Sequence, residues 1–483
     1  MKDSNKFIGK DFLWYFIGNI CPIIIGIVKF PIYTRIFSPA DFGAYSLIML
    51  VFTYASIVCY SWINGCAWRF YFEYKRNDKT KHLFTNLSLL FSVFTLFILA
   101  GTLIYYFSSD NALIKRLVVY CFLQYFTSEL LSLFLIVPRL EGRSFLYNFI
   151  QSVKAIGSFG LLLLLTFYNG SGIEAFLTSN VILNAVLLLI ILPPSIFKLN
   201  LSFKWINKKD LATLFAYGKV GLLINICSTL LISSDRFLIE HYATLNEVGI
   251  YNQNYNIAQI TISTLIATYW ASLNPTILSG LDTKSASLKT TIPGYFNTYF
   301  FCTLPIALYA ILYAKEIAEI MLGVDFRAGY SIIAWVAFSE FIIGLYFVPV
   351  TKLKLDNNLK ILSIYYVGAL VANVVLNIFF IQHFGYKSSA IVSAIVYLLL
   401  LLCVYRHDVF DSFPQLLRSP KLKQCLGIVL MQVAIHVISA RFDLSVYYYI
   451  IEGFIFALMY VYFAIKNRWI SLSTEQFQTH KSI

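Results

Sequence analysis

The stretch LFTNLSLLFSVFTLFILAGTLIYYF at residues 83–107 runs for 25 residues without one charged side chain. At about 1.5 Å of rise per residue such a helix crosses the roughly 30 Å hydrocarbon core of a bilayer. Runs of the same kind recur on both sides of it. Spans are expected at about 11–36, 41–63, 83–107, 116–137, 145–168, 173–197 and 214–240, then at 249–273, 292–314, 330–350, 361–382, 388–405, 425–440 and 446–466. The thirteenth is the shortest and weakest. The connections are short, and the two longest, 64–82 and 406–424, are polar and basic. The reading is an all-α, polytopic membrane protein with about 14 transmembrane helices.

Composition agrees. Of 483 residues, 59% are hydrophobic, 17% aromatic and only 13% charged, against about 25% charged in an ordinary soluble protein. Lipid is the one surrounding that accepts so much apolar surface. The net charge of +13 does not point to nucleic acid, because no basic patch is interleaved with aromatics on a soluble module. Lysine and arginine instead concentrate on the cytoplasmic side of membrane proteins. With a cytoplasmic N-terminus, 26 of them fall in the inner loops and tails and seven in the outer loops. That asymmetry supports an even number of spans with both termini inside. The eight cysteines stand singly, without CxxC or zinc-spaced histidines, and read as small apolar residues rather than metal ligands. No cleavable signal peptide is expected, since the first apolar run is too long for one.

The chain also repeats itself. YTRIFSPADFGAY at 33–45 aligns with IEHYATLNEVGIY at 239–251. At an offset of 206 residues, Asp41 matches Glu247, Gly43 matches Gly249 and Tyr45 matches Tyr251. Six spans separate the two copies, so both copies have one orientation, as in transporters built from parallel repeats. In the first copy Ser38 or Asp41 is placed to accept from free N–H groups of the next helix, and Pro39 suits its first turn.

These residues carry a resemblance. PIYTRIFSPADFGAYSL at 31–47 resembles the first-loop signature of polysaccharide exporters of the O-antigen flippase (Wzx) type, which includes Arg35, Asp41 and Gly43. DRFLIEHYATLNEVGIYNQNYNIAQ at 235–259 is similar to the matching signature of the seventh and eighth helices, with Glu247 and Gly249. NVVLNIFFIQHFGYKSSAIVSAIVY at 373–397 resembles the eleventh-to-twelfth signature through Asn377, Gly385, Ser389 and Ala390. The family belongs to the multidrug/oligosaccharidyl-lipid/polysaccharide exporter superfamily. The resemblance implies two six-helix bundles, residues 1–200 and 201–407, followed by two additional helices and a cytoplasmic tail in 408–483. It implies a cationic cavity opening alternately to either side of a bacterial inner membrane. The implied substrate is an undecaprenyl-diphosphate-linked oligosaccharide repeat unit for O-antigen or capsule synthesis. The implied partners are membrane lipids and the polymerase and chain-length proteins of the pathway. No cofactor is implied.

Charges inside spans mark candidate sites, since each costs at least about 2.5–3.5 kcal/mol at mid-span. Lys29, Lys154, Lys219 and Arg236 are candidates for a positive lining that attracts a diphosphate. Snorkelling to headgroups is an alternative for Lys154 and Lys219. Asp235, Glu129 and Glu340 are candidate coupling groups or counter-ions. Asp235 and Arg236 are adjacent, point about 100° apart on a helix, and are expected to pair with other helices rather than with each other. His436 reads as a packing histidine.

No P-loop, dinucleotide loop, zinc helix or nucleophile elbow appears in a suitable context. The chain is therefore expected not to be an enzyme. A polymerase or ligase on the same lipid carrier would need a large outer loop with catalytic carboxylates. A drug or cation antiporter of the same superfamily would favour an acidic cavity. A flippase for a peptidoglycan precursor is a third alternative.

Overall fold

The computed structural model describes residues 24–467, apart from 142, 169, 171, 200, 283–287, 357, 408–411 and 443. Among the described residues the secondary structure is helix and turn, with no strand. The chain falls into two compact units, Met1–Gly249 and Ile250–Ile483.

The first unit holds α1 (Ile24–Tyr33), α2 (Pro39–Arg76) and α3 (Thr80–Ser108). It continues with α4 (Ala112–Leu140), α5 (Ser144–Phe167), α6 (Ala175–Leu199), α7 (Lys208–Ser233) and α8 (Asp235–Tyr242). Then α9 (Leu245–Asp282) begins in the first unit and continues in the second. The second unit adds α10 (Leu288–Leu312), α11 (Ala314–Met321), α12 (Tyr330–Leu345), α13 (Phe347–Leu355) and α14 (Leu359–Phe384). It closes with α15 (Ser388–Tyr405), α16 (Ser412–Arg418), α17 (Pro420–Ser439) and α18 (Val446–Lys466).

Eleven described helices are long and apolar enough to cross a bilayer, and the two arms of α7, bent by 43°, make a twelfth. Of the other two expected spans, 11–36 is described only from residue 24, and 249–273 lies inside α9. The polar run Tyr251–Asn256 lowers the apolarity of that helix. Their outer faces are greasy: Phe97, Ile104, Leu189, Ile190, Leu402 and Phe454 are all exposed. Apolar exposure this extensive exceeds what a soluble protein tolerates and suits contact with lipid.

Two expectations about the connections need correction. Residues 64–76, expected in a loop, continue α2 as helix. The reason is amphipathicity. Cys66, Ala67, Phe70 and Tyr71 recur at helical spacing and pack in one core with Leu83, Phe84 and Leu87 of α3, Leu133 and Phe134 of α4 and Leu214 of α7. Their charged neighbours face outward, and the charge count outweighed the apolar stripe in a hydropathy reading. Likewise 406–424 contains α16 and the start of α17. There Ser419 caps the first turn through its Oγ, which accepts from the Lys421 N–H at 3.3 Å, and Pro420 follows at the position that lacks a partner anyway. The thirteenth span is thereby a full 20 residues.

In the second unit α12 and α15 are the central helices, each with 61% of its apolar window buried. Trp270 of α9 donates from Nε1 to the Gly344 carbonyl at 3.1 Å and stacks on Phe347 at 4.8 Å. The two C-terminal helices dock on α10. Tyr460 donates to the Phe301 carbonyl at 2.9 Å, and Gly453 leaves room for the Tyr309 ring, whose Cε2 lies 2.1 Å from where a Cβ would stand.

Candidate functional site

The charged groups of the first unit meet at a distortion in α2. Residues Ile57–Ser61 form a single π turn, a device that absorbs one extra residue and is frequent at functional sites. Ser56 lies just before it and Asn64 just after. Eight residues apart on an unbroken α-helix, they would point about 80° from each other, and with one residue absorbed the angle falls to about 20°. Both therefore reach Glu129 of α4. Ser56 Oγ donates to Oε1 at 2.7 Å, and Asn64 Nδ2 donates to Oε2 at 3.4 Å. Lys154 of α5 donates from Nζ to Ser128 Oγ at 3.1 Å and acts electrostatically on Glu129. The structure thus brings Glu129 and Lys154 together inside the helical core, each held by a polar neighbour. Sequence reading named both charges but missed Ser56, Asn64 and Ser128. The available signal was hydroxyl and amide side chains interrupting apolar runs.

Asp235 and Arg236 correct an expectation. They pair with each other: Arg236 Nη1 donates to Asp235 Oδ1 at 2.9 Å and to the Ile232 carbonyl at 2.5 Å. Both are buried, at 1% and 3% exposure. Both lie in α8, so their directions still differ by about 100°, and the long arginine side chain spans that angle by folding back toward Ile232. Tyr54 of α2 shares a hydrogen bond with Ser233 at 2.8 Å and lies within electrostatic reach of the pair.

Lys29 is half-buried in α1 and takes part in no hydrogen bond or ion pair among the described residues. Lys219 belongs to α7, and its side chain lies outside the described residues. In the second unit Glu340 of α12 is bonded by Gln259 of α9. Tyr299, Tyr346 and Tyr397 lie within electrostatic reach of this carboxyl. No cation pairs with it among the described residues. The two glutamates thus differ: Glu129 has an ammonium neighbour, Glu340 an amide and phenols.

The repeated turns are built alike. Ser38 Oγ accepts from the Asp41 N–H at 3.2 Å, while Asp41 Oδ2 accepts from the Ser38 N–H at 3.3 Å. Thr244, 206 residues on, accepts from the Glu247 N–H at 3.3 Å and donates to Glu247 Oε2 at 3.3 Å. These are matching N-terminal caps. The glycines then pack across. A Cβ on Gly43 would stand 1.9 Å from the Leu245 carbonyl oxygen, and one on Gly249 would stand 1.8 Å from that of Pro39. Leu245 is the repeat counterpart of Pro39, so the contact is reciprocal, as a two-fold relation requires. Arg35 donates to the Pro31 carbonyl one turn earlier.

Residues 32–330 match the model of the polysaccharide biosynthesis protein family. The chain belongs to that family. Among the curated relatives of this polysaccharide biosynthesis protein is a Shigella flexneri protein named "Putative O-antigen transporter", 20% identical over 79% of this chain and 93% of its own length. Solved structures share the fold. The lipid II flippase MurJ in its inward closed conformation superposes with a TM-score of 0.75 at 15% identity, covering 94% of this chain and 99% of MurJ. A Vibrio cholerae MATE transporter gives 0.57 at 13% identity, over 87% and 99% of the two chains. A multidrug resistance MATE family transporter of the MOP superfamily gives 0.56 at 10% identity, over 83% and 95%. The polysaccharide biosynthesis family member thus has the multi-pass, all-α fold of MOP-superfamily exporters.

Proposed function

We propose that this protein is a flippase. It carries undecaprenyl-diphosphate-linked oligosaccharide repeat units across a bacterial inner membrane by alternating access, for O-antigen or capsule synthesis. The observation that carries the reading is the set of ionisable groups held inside membrane spans: Lys29 without a counter-ion among the described residues, Lys154 beside Glu129, and Arg236 on Asp235. Family membership and the likeness to flippase and transporter folds support this reading. An anionic diphosphate entering the protein loses hydration, and ammonium and guanidinium groups replace it. Compensated cations suit transport better than a cluster of bare ones, because the headgroup must also leave.

In this reading Lys29, Lys154, Lys219 and Arg236 line the substrate path. Glu129, Asp235 and Glu340 set its net charge or carry coupling ions. Residues 1–200 and 201–407 form the two transport repeats, residues 408–483 add two helices and a tail, and both termini face the cytoplasm. The polymerase and chain-length proteins of the pathway receive the product.

The test is made in cells lacking this protein. Lipid-linked repeat units are expected to accumulate on the cytoplasmic leaflet, and to be cleared by the wild-type gene. Normal translocation with unpolymerised product would instead assign the chain to polymerisation.

A further inference from the structure

The second unit contains a polar cavity of about 600 Å³ that the transport reading does not use. Its walls come from the end of α10, from α11, from the start of α12, from the end of α17 and from the start of α18. These are termini of spans, so the cavity sits at a membrane boundary rather than at mid-bilayer. Two cations, Lys315 and Arg441, and two carboxylates, Glu316 and Glu319, line it together. None of the four side chains takes part in a hydrogen bond or ion pair among the described residues. Glu316 Oε2 is buried and lacks a partner.

Opposite charges that share a cavity without joining leave room for a ligand that carries both. The floor reinforces this. His436 lines the cavity, and its buried Nδ1 has no hydrogen-bond partner. Behind it lies Glu452, whose side chain is 8% exposed and whose Oε1 stands 4.0 Å from Nδ1. Tyr313 donates to that oxygen at 2.8 Å, and Gln432 donates to Tyr313. Tyr313 and Tyr449 flank the imidazole at ring distances of 4.6 and 5.8 Å. The floor is thus fixed, and the charges at the rim are available. Trp335 and Tyr330 on the wall, and exposed Phe442 and Leu444 at the mouth, supply the amphipathic and apolar contacts of an interfacial site.

We propose that this cavity binds the headgroup of a zwitterionic phospholipid of the phosphoethanolamine class. Lys315 and Arg441 take the phosphate, Glu316 and Glu319 take the primary ammonium, and the acyl chains lie along the apolar flank. A phosphate with a glycerol headgroup satisfies only the cations. A choline headgroup offers charge to the carboxylates but no N–H donors. The site is therefore selective on both halves of the ligand.

Native mass spectrometry of the purified full-length protein, titrated with phosphatidylethanolamine, phosphatidylglycerol and phosphatidylcholine, tests this. Phosphatidylethanolamine is expected to bind about tenfold more tightly than either rival, the worth of one charge-assisted hydrogen bond. Lys315→Ala with Arg441→Ala lowers its binding by about the same factor. Glu316→Gln with Glu319→Gln removes the preference over phosphatidylglycerol and leaves phosphate binding. Equal binding of all three lipids to the wild type would overturn the proposal, as would unchanged binding in both double variants. Displacement of the lipid by an equal concentration of soluble glycerophosphoethanolamine would overturn the membrane source. If a double variant fails to fold, the ranking on the wild type decides alone.

Discussion

At Gly43 and at Gly249 a carbonyl oxygen occupies the space that any other side chain would need. Alanine at either position must push backbone away from backbone. Each substitution is expected to destabilise the protein by about 1–3 kcal/mol, the usual cost of overpacking. A lowered thermal unfolding midpoint of the purified protein checks it. Gly160→Ala in α5 is the control, since nothing lies within 4 Å of its absent Cβ, and it should leave the midpoint unchanged or raise it slightly. Glu129 yields a second prediction at this scale. Glu129→Ala strands Ser56 and Asn64 and removes the charge facing Lys154, and is expected to cost about 1–3 kcal/mol. Glu129→Gln keeps acceptors for Ser56 and should lower the midpoint less. Equal losses in the two variants would show that charge, not hydrogen bonding, holds the group. The matched glycines were visible in the sequence as a repeat, whereas their contact was not. It joins residues 202 and 210 positions apart, and nothing local to either copy announces it.

Elements were legible where hydrophobicity alone decides them and illegible where geometry does. The span at 83–107 became α3 because an uncharged run of that length has no other solution in lipid. Residues 64–76 of α2 were misread because charge counting hides a helical apolar stripe. The π turn has no sequence mark, yet it aligns Ser56 with Asn64 on one carboxylate. Asn64→Leu takes away the amide that the turn brings onto Glu129 and leaves Ser56 as its donor. Transport is expected to fall while the protein remains inserted and abundant, checked by export assays beside immunoblots of membranes. Undiminished export would mean that the aligned pair has no part in the activity. The paired caps give a gentler test: Ser38→Ala and Thr244→Ala should each cost about 0.5–2 kcal/mol, read by the same thermal unfolding.

For the whole molecule, bulk composition and hydropathy were enough to reach a polytopic all-α membrane fold, because lipid acts on every span in the same way, while the exporter reading came from the resemblance of three signature segments. The partners of each intramembrane charge were not legible, because they come from helices dozens of residues apart. Glu452 shows the limit: a lone carboxylate in the last span, it passed unnoticed until Tyr313 and His436 were found beside it. The central claim is that intramembrane cations serve an anionic lipid-linked cargo. Its most direct test is translocation of an undecaprenyl-diphosphate-linked oligosaccharide by the purified protein in proteoliposomes, wild type beside Lys29→Ala. The account predicts protein-dependent movement across the bilayer, with the variant slowed at least about tenfold, the effect of losing one charged contact, at equal incorporation. Movement by the variant at the wild-type rate, or none by a correctly inserted wild type, would contradict it.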